Sequence, residues 1–131
     1  MEALTVLKGL LAGGITMGVA AVFPEELSLA FFTVVLGLAA GVYPGFAMAN
    51  PEAGRPLLQW VAAVVFVSLG MVGLWVSPLI LAAAWVLHAI WDFLHHITAL
   101  GDGVPEGYPA FCISYDLLLA GFVAYMWAAG A

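Results

Sequence analysis

Five apolar runs, each about as long as the hydrocarbon core of a bilayer is thick, limit what this chain can fold into. They cover residues 3–23, 27–48, 56–75, 78–100 and 109–129. A transmembrane helix needs about 20 mostly apolar residues, and each run meets that length. Only 8% of the residues are charged, against about 25% in soluble domains, so the chain cannot build a polar surface. The pattern predicts an all-α integral membrane bundle of five transmembrane helices, a single domain over residues 1–131.

The breaks between the runs contain Pro, Gly or charged residues, which end helices. They lie at residues 24–26, 50–55, 77–78 and 101–107. Without the short third break, four helices would result, one of them long and bent. Because residues 57–100 are about twice the length of one span, two separate helices are favoured. The first run is longer than the apolar part of a signal peptide, about 7–15 residues, so we expect it to remain as a helix.

Charge limits the classes of partner. The net charge is −6 and only Lys8 and Arg55 are basic, so we expect no nucleic acid partner, because nothing would neutralise phosphates. We also expect no nucleotide cofactor. Both basic residues lie on the side of the first helix's start, so the positive-inside rule predicts that this side is cytoplasmic. The expected partners are membrane lipids, and a homo-oligomer or a larger membrane complex.

Small residues recur four positions apart in the first two runs, as Gly9/Gly13, Gly14/Gly18 and Gly37/Gly41. Such pairs let transmembrane helices approach closely. In a chain this rich in Gly and Ala they also arise by chance, and the sequence leaves both interpretations open.

One stretch of the fourth run, residues 85–96, is unusual because it places ionisable groups inside an apolar segment. It contains all three histidines, His88, His95 and His96, together with Asp92. At about 100° per residue these four side chains share one helical face. A central Asp costs roughly 2.5–3.5 kcal/mol on membrane-insertion scales. The stretch therefore predicts a functional polar site within the membrane.

The fifth run adds an acid at the same predicted depth. Asp116 is level with Asp92, and Cys112 lies four positions before Asp116 on the same helical face. Because the loop between the last two runs is short, their helices should be antiparallel neighbours. The other helices also send a polar group toward this layer, namely Lys8, Tyr43 and Gln59.

A metal site is the sharpest hypothesis for this layer. Residues four apart on a helix are separated by about 6 Å and can hold one ion, whereas His88 and His96, about 12 Å apart, cannot share one. The candidate ligands are Asp92, His95, His96, Asp116 and Cys112. His88 would then be an outer partner, a proton relay or part of a second site. Mixed nitrogen and oxygen ligands suit Zn²⁺ or Fe²⁺.

Purely structural interpretations stay open for each residue. His95 and His96 near a helix end can meet lipid headgroups. Asp92 can form a hydrogen bond with a neighbouring Trp or Tyr, and Lys8 can pair with Asp116 as a structural ion pair. Cys112 alone is more often an inert buried thiol.

With these residues in view, the chain resembles a family of small multi-pass bacterial membrane proteins of unknown function. The matching residues are Trp85-x-x-His88-x-x-Trp91-Asp92-x-x-His95-His96, followed by Tyr108-Pro109-x-Phe111-Cys112-x-x-x-Asp116. They cover the last two predicted helices. The resemblance implies a small integral protein of the bacterial inner membrane and supplies no activity.

Three functions follow as hypotheses. The first is a metal-dependent enzyme acting on a lipid-like substrate, with His88, Asp92 and Asp116 as catalytic residues and metal-bound water as nucleophile. The second is a proton or ion pathway, or a transporter component. The third is an accessory or cofactor-holding subunit of a larger membrane complex. The sequence leaves open whether the protein is an enzyme.

Overall fold

The computed structural model describes residues 2–130 as a helical bundle without strands in that part of the chain. Its helices are α1 (Ala3–Ala20), α2 (Glu25–Ala49), α3 (Pro51–Gly54), α4 (Pro56–Val76), α5 (Pro78–Ile97) and α6 (Tyr108–Ala128), with a 3-10 turn at Ala99–Gly101. All except the single-turn α3 are long and apolar enough to cross a membrane. The prediction of an all-α bundle with five candidate membrane spans is confirmed.

Prolines set where several helices begin. Pro56 and Pro78 each occupy the first turn of a helix, where the missing backbone N–H costs nothing. Between α4 and α5, Ser77 is extended, and its hydroxyl accepts a hydrogen bond from the Leu79 amide at 3.2 Å. This capped break makes α4 and α5 two helices rather than one bent helix. At its other end α5 stops at Ile97, three residues before the expected boundary.

The helices pack in the spatial order α1, α6, α5, α4, α2. The α5–α6 pair is the most extensive contact, α1 packs on α6, and α4 packs on α5. Helix α2 packs on α4 and also touches α5. Because successive long helices alternate in direction, the starts of α1, α4 and α6 meet the ends of α2 and α5. We call this end of the bundle the N-terminal side and the other the C-terminal side.

Two glycines of α1 allow this helix to approach α6 closely. A Cβ at Gly9 would collide with Ser114 and the Phe111 backbone of α6, and one at Gly13 would press on Leu118. The Gly9/Gly13 pair therefore lies at a close helix contact, which is the first of the two interpretations that the sequence leaves open. By contrast, a Cβ at Gly14 or Gly18 of the second pair would meet no other described residue within 4 Å.

The two halves of the interior differ in chemistry. The core of the C-terminal half is apolar, and its largest members are Phe32, Leu36, Leu81, Trp85 and Leu119. In the described chain, Ser28 is the only buried polar residue in that half; the others, Gln59, His88, Asp92, His95, Ser114 and Asp116, lie in the N-terminal half. The ionisable groups are thus confined to one end of the bundle interior.

Candidate metal site

Three ionisable side chains meet where α5 packs against α6. His88, Asp92 and Asp116 each offer one potential ligand atom, and these atoms all lie within 4.8 Å of one another. His88 Nδ1 is 2.6 Å from Asp116 Oδ2 and 3.5 Å from Asp92 Oδ2. All three residues are at most 1% exposed. We refer to them as the acid–histidine cluster.

Helix geometry explains why these residues come together. His88 and Asp92 are one turn apart on the face of α5 that packs on α6. Asp116 lies eight residues inside α6, which runs antiparallel to α5 from the same side. At 1.5 Å per residue, the cluster lies about 7–14 Å inside the helix ends on the N-terminal side. This depth is well within the apolar spans.

Tyr43 of α2 forms a hydrogen bond with one oxygen of Asp92. Its hydroxyl donates a 2.7 Å hydrogen bond to Asp92 Oδ1. Its ring stacks on the His95 ring with a centroid separation of 3.8 Å and an interplanar angle of 16°. The sequence places Tyr43 at this depth, but the pairing with Asp92 requires α2 to pack beside α5.

Both ring nitrogens of His95 are engaged. Nδ1 is 2.7 Å from the Trp91 carbonyl, which only accepts, so Nδ1 carries a proton and donates it. Nε2 is 2.8 Å from Gln59 Nε2 on α4, and in this tautomer it accepts from that amide. The tautomer is assigned from the hydrogen-bond network. His95 therefore ties α4 to α5 and has no free lone pair for a metal.

Several buried polar atoms of the cluster have no hydrogen-bond partner. They are His88 Nε2, Asp92 Oδ2 and Asp116 Oδ1. Within residues 2–130 neither carboxylate pairs with a Lys or Arg, since the only ion-pair contacts involve His88 and both basic residues are exposed. Unsatisfied buried groups cost about 1–3 kcal/mol each, and more when charged. The cluster could therefore hold a cation.

The structure brings some of the candidate ligands together and leaves others apart. Asp92 and Asp116 lie together, and the imidazole beside them is His88 rather than His95 or His96. His96 is exposed one residue before the end of α5 and lines a surface cleft of about 540 Å³ with Glu2 and Glu106. His96 follows Asp92 by one turn, toward the end of α5, and is exposed there. His88 precedes Asp92 by one turn and is buried where α5 packs against α6.

Cys112 and Lys8 both lie outside the acid–histidine cluster. Cys112 is buried one turn before Asp116, but its sulfur is not part of the group of mutually close ligand atoms. The alternative ion pair between Lys8 and Asp116 does not form, because Lys8 is exposed and Asp116 bonds to His88. The immediate partner of Asp116 is therefore an imidazole and not an ammonium group.

Fold and site together define a membrane-like helical protein with a buried His/Asp group that can hold a metal. A sequence model described as "Family of unknown function (DUF6010)" matches residues 4–130, so the chain belongs to that family. No curated protein and no solved structure matches it significantly. Because the family description gives no activity, function has to be argued from the site.

Proposed function

We propose that His88, Asp92 and Asp116 bind one divalent metal ion inside the membrane. The observation that supports this proposal most strongly is that three fully buried residues place potential ligand atoms within 4.8 Å of one another, while Asp92 Oδ2 and Asp116 Oδ1 have no hydrogen-bond partner. Two carboxylates and a neutral imidazole carry a charge of −2, which one divalent cation balances. An ion with ligands at about 2.0–2.2 Å would require the three groups to rearrange, because the 2.6 Å contact between His88 Nδ1 and Asp116 Oδ2 would have to open to admit it.

The composition of the site favours a transition metal. One imidazole nitrogen with carboxylate oxygens suits Zn²⁺ or Fe²⁺. Three protein ligands leave at least one position for water or a substrate atom, which is the arrangement of catalytic rather than structural sites. We therefore propose a metal-dependent enzyme in which the ion would activate a bound water.

The surroundings favour a lipid-like substrate. The acid–histidine cluster lies about 7–14 Å inside the spans, and its neighbours include the ring of Phe66, 4.8 Å from the His88 ring. A hydrophilic substrate would have to leave water to reach this depth, whereas an amphiphile already resides there. Membrane lipids are thus the proposed partners.

A proton relay is the second candidate. The 2.6 Å contact between His88 Nδ1 and Asp116 Oδ2 favours proton exchange between these two groups. A transmembrane pathway would have to continue through the C-terminal half, where the buried core of the described chain is apolar. The relay candidate therefore needs a second copy or another subunit to complete the path. Proton flux in liposomes from metal-free protein would support it.

Elemental analysis tests the metal proposal. Wild-type protein in nanodiscs, loaded with zinc or iron and freed of excess ion, should hold one ion per chain. Asp92→Asn, Asp116→Asn and His88→Ala should lose it. His96→Ala is the matched control and should retain it, because His96 is exposed outside the cluster. Wild-type protein without bound metal would overturn the proposal.

A lipid comparison tests the proposed enzymatic activity. Total lipids from cells that express wild-type protein or Asp116→Asn at equal levels should differ by the loss of one lipid species and the gain of another. Identical lipid profiles would leave the ion without a lipid reaction and contradict this part of the proposal.

We also propose that the N-terminal side of the bundle faces the cytoplasm, since Lys8 and Arg55 both lie at that end. A reporter inserted into the loop before α6 should then be protected from protease added outside intact cells. Cleavage there would reverse the orientation.

A further inference from the structure

We propose that Tyr43 controls the metal site in two ways: its hydroxyl fixes one oxygen of Asp92, and its ring closes the site against the N-terminal side. The inference rests on the proposed function and extends it to how the ion is held and by which route it arrives.

The first role follows from the two oxygens of Asp92. Oδ1 accepts the 2.7 Å hydrogen bond from Tyr43, whereas Oδ2 has no hydrogen-bond partner and lies 3.5 Å from His88 Nδ1. The hydroxyl therefore occupies one oxygen and leaves the other turned toward the cluster. Groups that orient a ligand in this way typically account for about 10–100-fold in metal affinity.

The second role follows from the aromatic rings around Tyr43. Its ring stacks on His95 and meets the edge of Tyr108 at 5.8 Å, and Tyr108 in turn contacts Phe46 at 5.2 Å. These four residues come from α2, α5 and α6. We call them the aromatic seal.

The seal separates the acid–histidine cluster from a surface cleft. A cleft of about 350 Å³ on the N-terminal side is lined by His95, His96 and Glu106. His95 faces this cleft and also stacks on Tyr43, which bonds to Asp92. The polar connection from the cleft to the cluster thus passes the stacked pair of rings. Because the C-terminal half of the described core is apolar, it offers a cation no comparable route.

The backbone of α2 is weakened beside Tyr43. Pro44 lies inside the helix and has no N–H to donate to the Ala40 carbonyl. One bond of the helical ladder is therefore missing at the turn that carries Tyr43, and a local adjustment there is less costly than elsewhere in α2. Displacement of the ring would open the route to Asp92.

Two variants separate the two roles. Tyr43→Phe keeps the ring and removes the hydroxyl, so zinc affinity measured by chelator competition should fall about 10–100-fold while the rate of loading stays close to wild type. Tyr43→Ala removes the ring as well, so loading should become several-fold faster. Tyr115→Phe is the control for affinity, because the Tyr115 hydroxyl bonds to Thr16 and lies outside the seal.

The native thiol provides a readout that does not depend on metal. Cys112 is the only cysteine of the chain. It is buried on α6 between Tyr108 of the seal and Asp116 of the cluster. A small charged methanethiosulfonate reagent should label Cys112 slowly in wild type and in Tyr43→Phe, and several-fold faster in Tyr43→Ala. Tyr115→Ala should label like wild type, because Tyr115 bonds to Thr16 on α1 and lies outside the seal.

Each outcome has a separate meaning. Metal-free wild-type protein would overturn the proposed function and the orienting role of the hydroxyl with it. Metal-binding wild type with unchanged affinity in Tyr43→Phe would overturn only that orienting role. Equal labelling of Cys112 in wild type and Tyr43→Ala would overturn the seal, as would equally fast labelling of Tyr115→Ala. Because Tyr43→Phe preserves the packing, the affinity test does not depend on the folding of the alanine variant.

Discussion

Asp92 and Asp116 dominate the energetics at the scale of single residues. Each carboxylate costs roughly 2.5–3.5 kcal/mol when placed centrally in a membrane span. Two of them in one cluster also repel each other, and a single His88 contacts both. Tyr43 donates to one oxygen of Asp92, but Asp116 Oδ1 and Asp92 Oδ2 remain without a hydrogen-bond partner. A divalent cation bound there would balance the charge and supply the missing partners.

Metal should therefore stabilise the folded protein. At a free zinc concentration of 100 times Kd, linkage predicts about 2.7 kcal/mol of added stability. Thermal unfolding in nanodiscs should show a higher Tm with zinc than with chelator, and Asp116→Asn should lose this difference. An equal zinc effect in both proteins would mean that the ion binds elsewhere.

The two neighbouring histidines should respond differently to substitution. His95→Ala removes a buried ring that bonds to Gln59 and Trp91, so it should destabilise the protein by about 1–3 kcal/mol. His96→Ala removes an exposed ring and should change stability by less than about 0.5 kcal/mol. Denaturant titrations of both variants would measure the contrast, and equal effects would contradict the described burial.

At the scale of helices, α5 is bonded to three other helices through side chains between residues 88 and 95. Asp92 bonds to α2, His95 to α4 and His88 to α6. Helix α1 attaches separately to α6 through Gly9 and through the hydroxyl of Ser114, which donates to the Val6 carbonyl at 3.1 Å. The position of the site thus depends on the α5–α6 contact, and α1 supports α6 from its other side.

The α1–α6 contact makes a prediction about glycine substitutions. Gly9→Val should destabilise the bundle by about 1–3 kcal/mol, because a Cβ there meets α6. Gly14→Val is the matched control on the same helix, with no neighbour within 4 Å, and should stay within about 0.5 kcal/mol of wild type. Thermal unfolding of the two variants would test this, and a larger loss for Gly14→Val would contradict the packing of α1.

At the scale of the whole molecule, the bundle is chemically one-sided. All its buried ionisable residues in the described chain lie in the N-terminal half, and the opposite half is filled by apolar side chains. Large exposed side chains such as Leu57 and Trp75, both more than 70% exposed, suit an outer surface in contact with lipid. A buried binding or catalytic site reached from one side fits this organisation better than a pathway through it.

Because the buried ionisable residues of the described chain all lie in the N-terminal half, a chelator should act differently from the two sides of the membrane. In proteoliposomes of uniform orientation, an impermeant chelator should remove zinc only from the N-terminal side, since the buried core of the described chain toward the other side is apolar except for Ser28. Removal at equal rates from both sides would show that a second path exists.

The sequence predicts the spans and the polar layer because both depend on quantities that it contains directly. The length of the apolar runs determines the five spans. The rise per residue, counted from the helix ends, places Asp92 and Asp116 at a similar depth. The sequence does not predict which histidine lies beside the two aspartates. His88 and His96 are each one turn from Asp92, and only the rotation of α5 against α6 distinguishes them. The bond from Tyr43 to Asp92 depends on the spatial order of α2, α4 and α5, which chain order does not specify.

X-ray absorption of zinc-loaded protein tests most directly whether the acid–histidine cluster holds the ion. A metal held by His88, Asp92 and Asp116 should show only nitrogen and oxygen neighbours at about 2.0–2.2 Å, with outer scattering from a single imidazole, and this spectrum should disappear in Asp116→Asn. A sulfur neighbour at about 2.3 Å would implicate Cys112. Three results would contradict the proposed site. They are a sulfur neighbour, scattering from two or more imidazoles, and an unchanged spectrum in Asp116→Asn.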